Sequence, residues 1–231
     1  MCVIKIAILL STILVAGTFG AGFRRRIEKE KCPKVNLLKS FDFQQMLGSW
    51  YVIEYYASSE ESQIYRCMRT VFSLSGDDIE ISMNFTYSFI DDPDNEHLYG
   101  NITWRIPDLK QPSHWVHAED TYEGVYNTYL LDMDASGDNP WSLLLHCAEK
   151  SGSTRYLSSF VLSRKSTQSP NVISFLRDKL PRYDIDLQFM YPMDQHDCSA
   201  EHIPLFYQAI KNQLKPRVAS KHPLKHPEHH Q

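Results

Sequence analysis

The sequence has little that would support catalysis, nucleic-acid binding or a transmembrane helix. It contains no Gly-x-Ser-x-Gly, no His-Glu-x-x-His and no glycine-rich loop able to cradle phosphate. The usual nucleophile, zinc-hydrolase and nucleotide chemistries therefore lack their residues. Positive charge is not in surplus: 24 Lys and Arg stand against 28 Asp and Glu, a formal net charge of −4. Such a balance gives no basic face for nucleic acid or for an acidic membrane surface. No apolar run reaches the roughly 20 residues that a bilayer-spanning helix needs. The cysteines nowhere fall at the CxxC spacing of zinc or redox sites. No catalytic residue, metal ligand set, cofactor or nucleic-acid partner is expected.

The first residues carry a different signal. Lys5 precedes a nearly unbroken apolar stretch from Ile6 to Val15, and Thr18 and Gly20 are small enough for cleavage. This is the pattern of a secretory signal peptide, assigned to residues 1–20. The run is too short for a membrane anchor, and Arg24, Arg25 and Arg26 end it. Residues 21–31 read as a flexible basic arm, and residues 201–231, rich in Pro, Lys and His, as a mostly disordered extension. Between them, residues 32–200 suit one domain with one core. Four cysteines remain after Cys2: Cys32, Cys67, Cys147 and Cys198. An even set in an oxidising compartment predicts two disulfides, with three pairings open. Two sequons, at Asn84 and Asn101, fit the same route and make these the candidate glycosylation sites of a secreted, extracellular protein.

Hydrophobic periodicity predicts an all-β domain. From Ile79 to Phe89, apolar Ile79, Ile81, Met83, Phe85, Tyr87 and Phe89 alternate with polar residues. After a turn at Asp91-Asp92-Pro93-Asp94, Leu98, Gly100, Ile102, Trp104 and Ile106 share one face of the next strand. Both sequon asparagines fall on the polar faces. A glycan must project into solvent, so the apolar faces point inward. In the segment 65–74, Met68, Thr70, Phe72 and Leu74 would face inward and Cys67 outward. Further strands are expected at 50–56, 114–118, 122–131, 141–148 and 155–163, about eight in all, as an antiparallel barrel or sandwich. A helix follows, opened by Pro170, with Val172, Ile173, Phe175, Leu176 and Leu180 as its apolar stripe and Pro181 as its stop. Residues 184–190 read as a short outer strand.

Three motifs carry a resemblance to a family. Phe41 to Tyr51 contains Gly48-Ser49-Trp50, Leu130 to Asp134 follows, and Phe160 to Arg164 ends in an arginine. In this order and spacing they resemble the three lipocalin signatures. Within the second, Asp134 matches while Met133 and Ala135 depart from the usual triplet. The likeness runs from Cys32 to Cys198 and is similar to the apolipoprotein D and insect Lazarillo branch. The resemblance implies an eight-stranded up-and-down barrel with one C-terminal helix packed outside. It also implies disulfides Cys32–Cys147 and Cys67–Cys198, and Trp50 meeting Arg164 at the closed end of the barrel. It implies a carrier whose partner is a small hydrophobic ligand such as a fatty acid, retinoid, sterol or bilin. Some members are enzymes that use a free pocket cysteine. Here the implied pairing leaves none.

The inward residues Met68, Phe72, Met83, Phe85, Tyr87, Ile102 and Trp104 are the candidate ligand contacts, with Trp104 and Tyr87 expected toward the loop-rich end. Strict alternation from Trp50 turns Glu54 inward, unless the strand bulges. The tyrosines at 51, 55, 56, 122, 126 and 129 have mixed parity and read mainly as surface or rim residues. His114 and His117, three apart on a strand, point to opposite faces, against shared metal binding. His222, His226, His229 and His230 lie in the extension and read as solvated. The rival function is a non-transport secreted protein whose loops, among them 91–96 and 135–140, bind a cell-surface receptor or another protein.

Overall fold

A computed structural model describes residues 29–38, 40–56, 65–75, 80–92, 94, 98–117 and 125–198. The expected signal segment, most of the basic arm and the C-terminal extension lie outside the described residues, as do Tyr122 and the four tail histidines.

Alternating apolar residues force strands, and the strands form one closed antiparallel sheet. They are β1 (Gly48–Tyr56), β2 (Tyr65–Ser75), β3 (Glu80–Phe89), β4 (Leu98–Arg105), β5 (His114–His117), β6 (Tyr126–Asp134), β7 (Trp141–Ala148) and β8 (Tyr156–Ser163). Each pairs with its neighbour in sequence, and β8 and β2 both pair with β1, which closes an eight-stranded barrel. A ninth strand, β9 (Met190–Pro192), adds to β1 opposite Glu54 to Tyr56. The expected outer strand thus sits later than residues 184–190. Within that stretch Leu187–Phe189 is a 3₁₀ turn, and another, Pro181–Tyr183, lies just before it.

Up-and-down connectivity gives the barrel two unlike ends. At one end a 3₁₀ turn, Phe43–Gln45, runs into β1. There Trp50 is fully buried and donates from Nε1 to the Met46 carbonyl at 2.7 Å. The Arg164 guanidinium lies 3.6 Å from the Trp50 ring centroid and donates to the carbonyls of Gln45, Leu47 and Ser49. Gly48 makes room beneath it with φ +88°, a conformation side-chain-bearing residues rarely adopt. Three carbonyls accept from one cation, and the end is shut. The cation–π contact alone contributes about 0.5–2 kcal/mol.

Two hydrophobic cores follow from the barrel wall. The inner one holds Val52, Phe72, Ile81, Trp104, Trp115, Leu130 and Leu162. The outer one lies between β1, β6, β7 and β8 and the helix α1 (Pro170–Arg177), with Leu143, Leu145, Val161, Leu176 and Leu180 at its centre. Ser169 caps α1, its hydroxyl accepting from the Val172 amide, and Pro170 takes the first turn, where no amide donor is needed. Phe175, expected in the buried stripe, is 48% exposed at the edge of this interface, against Trp141.

The C-terminal segment completes the wall. β1 and β2 stay in register only from Gly48↔Phe72 to Tyr51↔Arg69. Beyond that point residues 193–195 occupy the gap: Met193 N donates to Ile53 O, Cys67 N to Asp194 O, and Gln195 Nε2 to both Val52 O and Met68 O. Disulfide Cys67–Cys198 fastens this segment, and Cys32–Cys147 ties the N-terminal arm to β7. Spans of 131 and 115 residues are closed, each worth up to about 4–5 kcal/mol in the chain-entropy picture. The end of the arm is held as well. Asp184 binds Lys29 at 2.6 Å and Arg155 at 2.9 Å, while Lys31 binds Glu149 at 3.0 Å.

Candidate ligand cavity

Side chains on the inner faces do not fill the barrel. A cavity of about 390 Å³ remains between the closed end and the end where β1, β3, β5 and β7 terminate. Its wall is aliphatic and aromatic, with Met68, Met83, Phe85, Ile102, Trp104, Leu144, Phe160 and Leu162. Five tyrosines join them: Tyr55, Tyr65, Tyr87, Tyr126 and Tyr156. Tyr65 meets Tyr87 edge-on at 5.2 Å, and Tyr126 meets Tyr156 at 6.0 Å. The expectation that the tyrosines are mainly surface or rim residues is corrected for Tyr55 and Tyr126, which line the cavity, and for Tyr56, which is buried in the outer core.

On β1 a bulge sets the facing. β1 shifts register against β8 between Val52 and Glu54, so Tyr55 turns inward and Glu54 outward. Glu54 then takes both oxygens to Arg177 of α1, at 3.0 and 3.1 Å. Burial raises the Glu54 pKa, and Arg177 opposes that rise. A second shift, between Arg66 and Arg69 of β2, turns Cys67 out at φ +57° while Tyr65 and Met68 both face in.

Six of the seven predicted contacts line the cavity: Met68, Met83, Phe85, Tyr87, Ile102 and Trp104. Phe72 does not. It pairs with Gly48 at the closed end and is fully buried against Trp115, at 6.0 Å between rings. Trp104 lies deeper than expected, one residue from the closed end of β4, whereas Tyr87 is near the open end. Phe85 depends on its cross-strand partner Gly100, since a Cβ there would come within 2.1 Å of the ring. Outside the barrel, Asn84 and Asn101 face one another across β3 and β4, and Asn101 Nδ2 donates to Asn84 Oδ1 at 2.7 Å. Asp134 ends β6 and accepts from the amide and hydroxyl of Ser136, which lowers its pKa.

The polar groups in the wall are the hydroxyls of the five tyrosines, Thr70 and Thr128, and the imidazoles of His117 and His146. Among the described lining residues there is no Asp, Glu, Lys or Arg. His146 is the most perturbed. Its Nδ1 pairs with Thr128 Oγ1 at 2.8 Å, its ring stacks on Trp104 at 6.1 Å, and Phe160 meets it edge-on at 5.3 Å. Burial lowers its pKa to about 4, so the imidazole is neutral at physiological pH. His146 Nε2 and Thr70 Oγ1, both buried, have no hydrogen-bond partner among the described residues. His117 also lines the cavity, its Nδ1 bonded to the Thr103 carbonyl, whereas His114 stacks outside on Tyr129 at 4.8 Å. The two histidines thus lie on opposite faces.

The same organisation is found in known proteins. A family model, the VDE lipocalin domain, matches residues 23–195. The chain is a lipocalin. Apolipoprotein D from Bos taurus is 24% identical over 208 residues, 84% of this lipocalin and 97% of that protein. Among solved structures, lobster apocrustacyanin A1 superposes with a TM-score of 0.56 at 16% identity, over 75% of this chain and 93% of its own. Apocrustacyanin C1 gives 0.57 at 17% identity, over 73% and 90%. As in a lipocalin generally, the Gly48-Ser49-Trp50 turn and Arg164 build the shut end of the cup and line no part of this cavity.

Proposed function

We propose that this lipocalin is an extracellular, non-catalytic carrier that holds one small hydrophobic molecule in the barrel. The observation that carries the reading is the cavity of about 390 Å³ with a wall of mainly apolar and aromatic side chains. That volume is within the range of small-molecule sites, about 300–1,000 Å³. Met68, Met83, Phe85, Tyr87, Ile102 and Trp104 are the proposed contacts, and retinoids, fatty acids, sterols and bilins are the candidate classes. Secretion after loss of residues 1–20 is part of the proposal, supported by the two disulfides. Glycosylation at Asn84 or Asn101 belongs to it too. Titration with a panel of the four ligand classes tests it, because Trp104 in the wall should be quenched saturably near one equivalent. No saturable quenching across that panel would overturn the carrier reading. Mass spectrometry of lipid extracted from the natively secreted protein would then name the cargo.

A second reading is favoured by Ile90 and Tyr99, which are 56% and 55% exposed beside the β3–β4 turn. In it, the loops bind a receptor or another protein. Substituting both with Ser should abolish cell-surface binding under this reading and leave it unchanged under the first.

A further inference from the structure

We infer that the cavity discriminates by charge: it takes uncharged lipids bearing an oxygen, such as alcohols, ketones and esters, and rejects the carboxylate of the same skeleton. This rests on the carrier reading and narrows its ligand class.

Three observations point the same way. The described wall holds no Lys or Arg to pair with a carboxylate. An ionised acid placed there would lose its hydration and gain no counter-charge, which is far costlier than burying a hydroxyl or carbonyl that finds one hydrogen bond. Second, the wall does hold neutral hydrogen-bonding capacity. His146 Nε2 and Thr70 Oγ1, in cavity-lining residues on β7 and β2, are buried without a partner among the described residues. Buried polar atoms of this kind call for one. An oxygen on the ligand meets that need, and the imidazole serves as donor or acceptor according to its tautomer.

Third, three of the four connections between strand ends on the open side are acidic in sequence. The segments that join β1 to β2, β3 to β4 and β5 to β6 all connect strand ends on the open side. In sequence, residues 57–64, 90–97 and 118–125 hold nine Asp and Glu and no Lys or Arg. The remaining connection, 149–155, contributes Glu149, Lys150 and Arg155. Arg155 is turned to Asp184 on the outside of the barrel, and Arg66, near the same end of β2, points to the His196 carbonyl. Anionic ligands therefore approach against the field, and uncharged ones do not feel it.

Retinol, retinoic acid and methyl retinoate share one skeleton and differ at the terminal group. Hexadecanol, palmitate and methyl palmitate form a linear set. Each is titrated into the intact secreted protein at pH 8, with Trp fluorescence and calorimetry as readouts. In at least one set, alcohol and ester should bind with similar Kd and the acid at least about 100-fold more weakly, the ratio expected when a carboxylate is buried unpaired. Acids binding within threefold of their alcohols overturn the charge inference and leave the carrier reading standing. No binding by any member of either set, together with an empty lipid extract, removes the carrier reading and this inference with it.

Discussion

Acidification should weaken this fold through one buried histidine. His146 has a folded-state pKa lowered from 6.5 to about 4 by burial. The unfolded chain therefore takes up a proton that the native state refuses. The stability involved is fully present above pH 6.5 and is lost as pH falls toward 4. The whole shift corresponds to about 3 kcal/mol at 1.36 kcal/mol per unit, and about 2.5 kcal/mol of it is gone by pH 4.5. Urea unfolding of the wild type and His146→Phe at pH 7.5 and 4.5 measures it. The variant keeps an aromatic ring between Trp104 and Phe160 but cannot titrate. It also leaves Thr128 without its partner, a constant offset at both pH values. Glu54, whose raised pKa acts in the opposite direction, is present in both proteins and cancels. The stability advantage of wild type over variant should shrink by about 2.5 kcal/mol between the two pH values. A difference constant within about 0.5 kcal/mol, or an NMR titration of His146 near 6.5, would refute the reasoning.

Three other substitutions probe the frame. Arg164→Ala removes the cation over Trp50 and the donors to three carbonyls, and should cost about 3 kcal/mol in denaturant unfolding. A loss under about 1 kcal/mol would mean the closed end does not depend on it. Gly100→Val drives a side chain into the Phe85 ring and should cost about 1–3 kcal/mol and weaken ligand binding, with stability partly regained in Gly100→Val/Phe85→Ala. Arg177→Met strands the Glu54 carboxylate under α1. It should lower stability at pH 8 by about 2 kcal/mol, with most of the loss recovered on adding Glu54→Gln; no recovery would show that Arg177 acts through packing instead.

Barrel and motifs were legible in the sequence where one strand face is wet. β3 and β4 alternate cleanly because Asn84, Asn101 and Thr103 face water while Met83, Phe85 and Ile102 face the cavity. β7 shows no alternation. Leu144 and His146 point to the cavity and Leu143 and Leu145 to the helix side, so every residue of Trp141–Ala148 is buried. That lack of alternation hides His146. Parity failed wherever a bulge inserts a residue, which hid Tyr55 on β1 and Tyr65 on β2. Periodicity also reports which face a residue takes and says nothing of depth. Phe72 and Trp104 share the inner face with Met68 and Tyr87 but sit toward the shut end, a fact fixed by pairing register.

The strip of chain from Met190 to Cys198 is the side seam of the cavity. β1 and β2 are neighbours from the start of synthesis, yet the gap between their upper halves is filled by residues that follow Cys67 by up to 131 positions. A chain that has made all eight barrel strands still has a slit beside Tyr55 and Met68. Sealing it requires residues 193–195 to arrive, and the Cys67–Cys198 disulfide fastens them. Without that segment, the interior communicates with solvent through its side as well as its mouth. The Cys67–Cys198 disulfide thereby acts as the clasp on the side seam of the container.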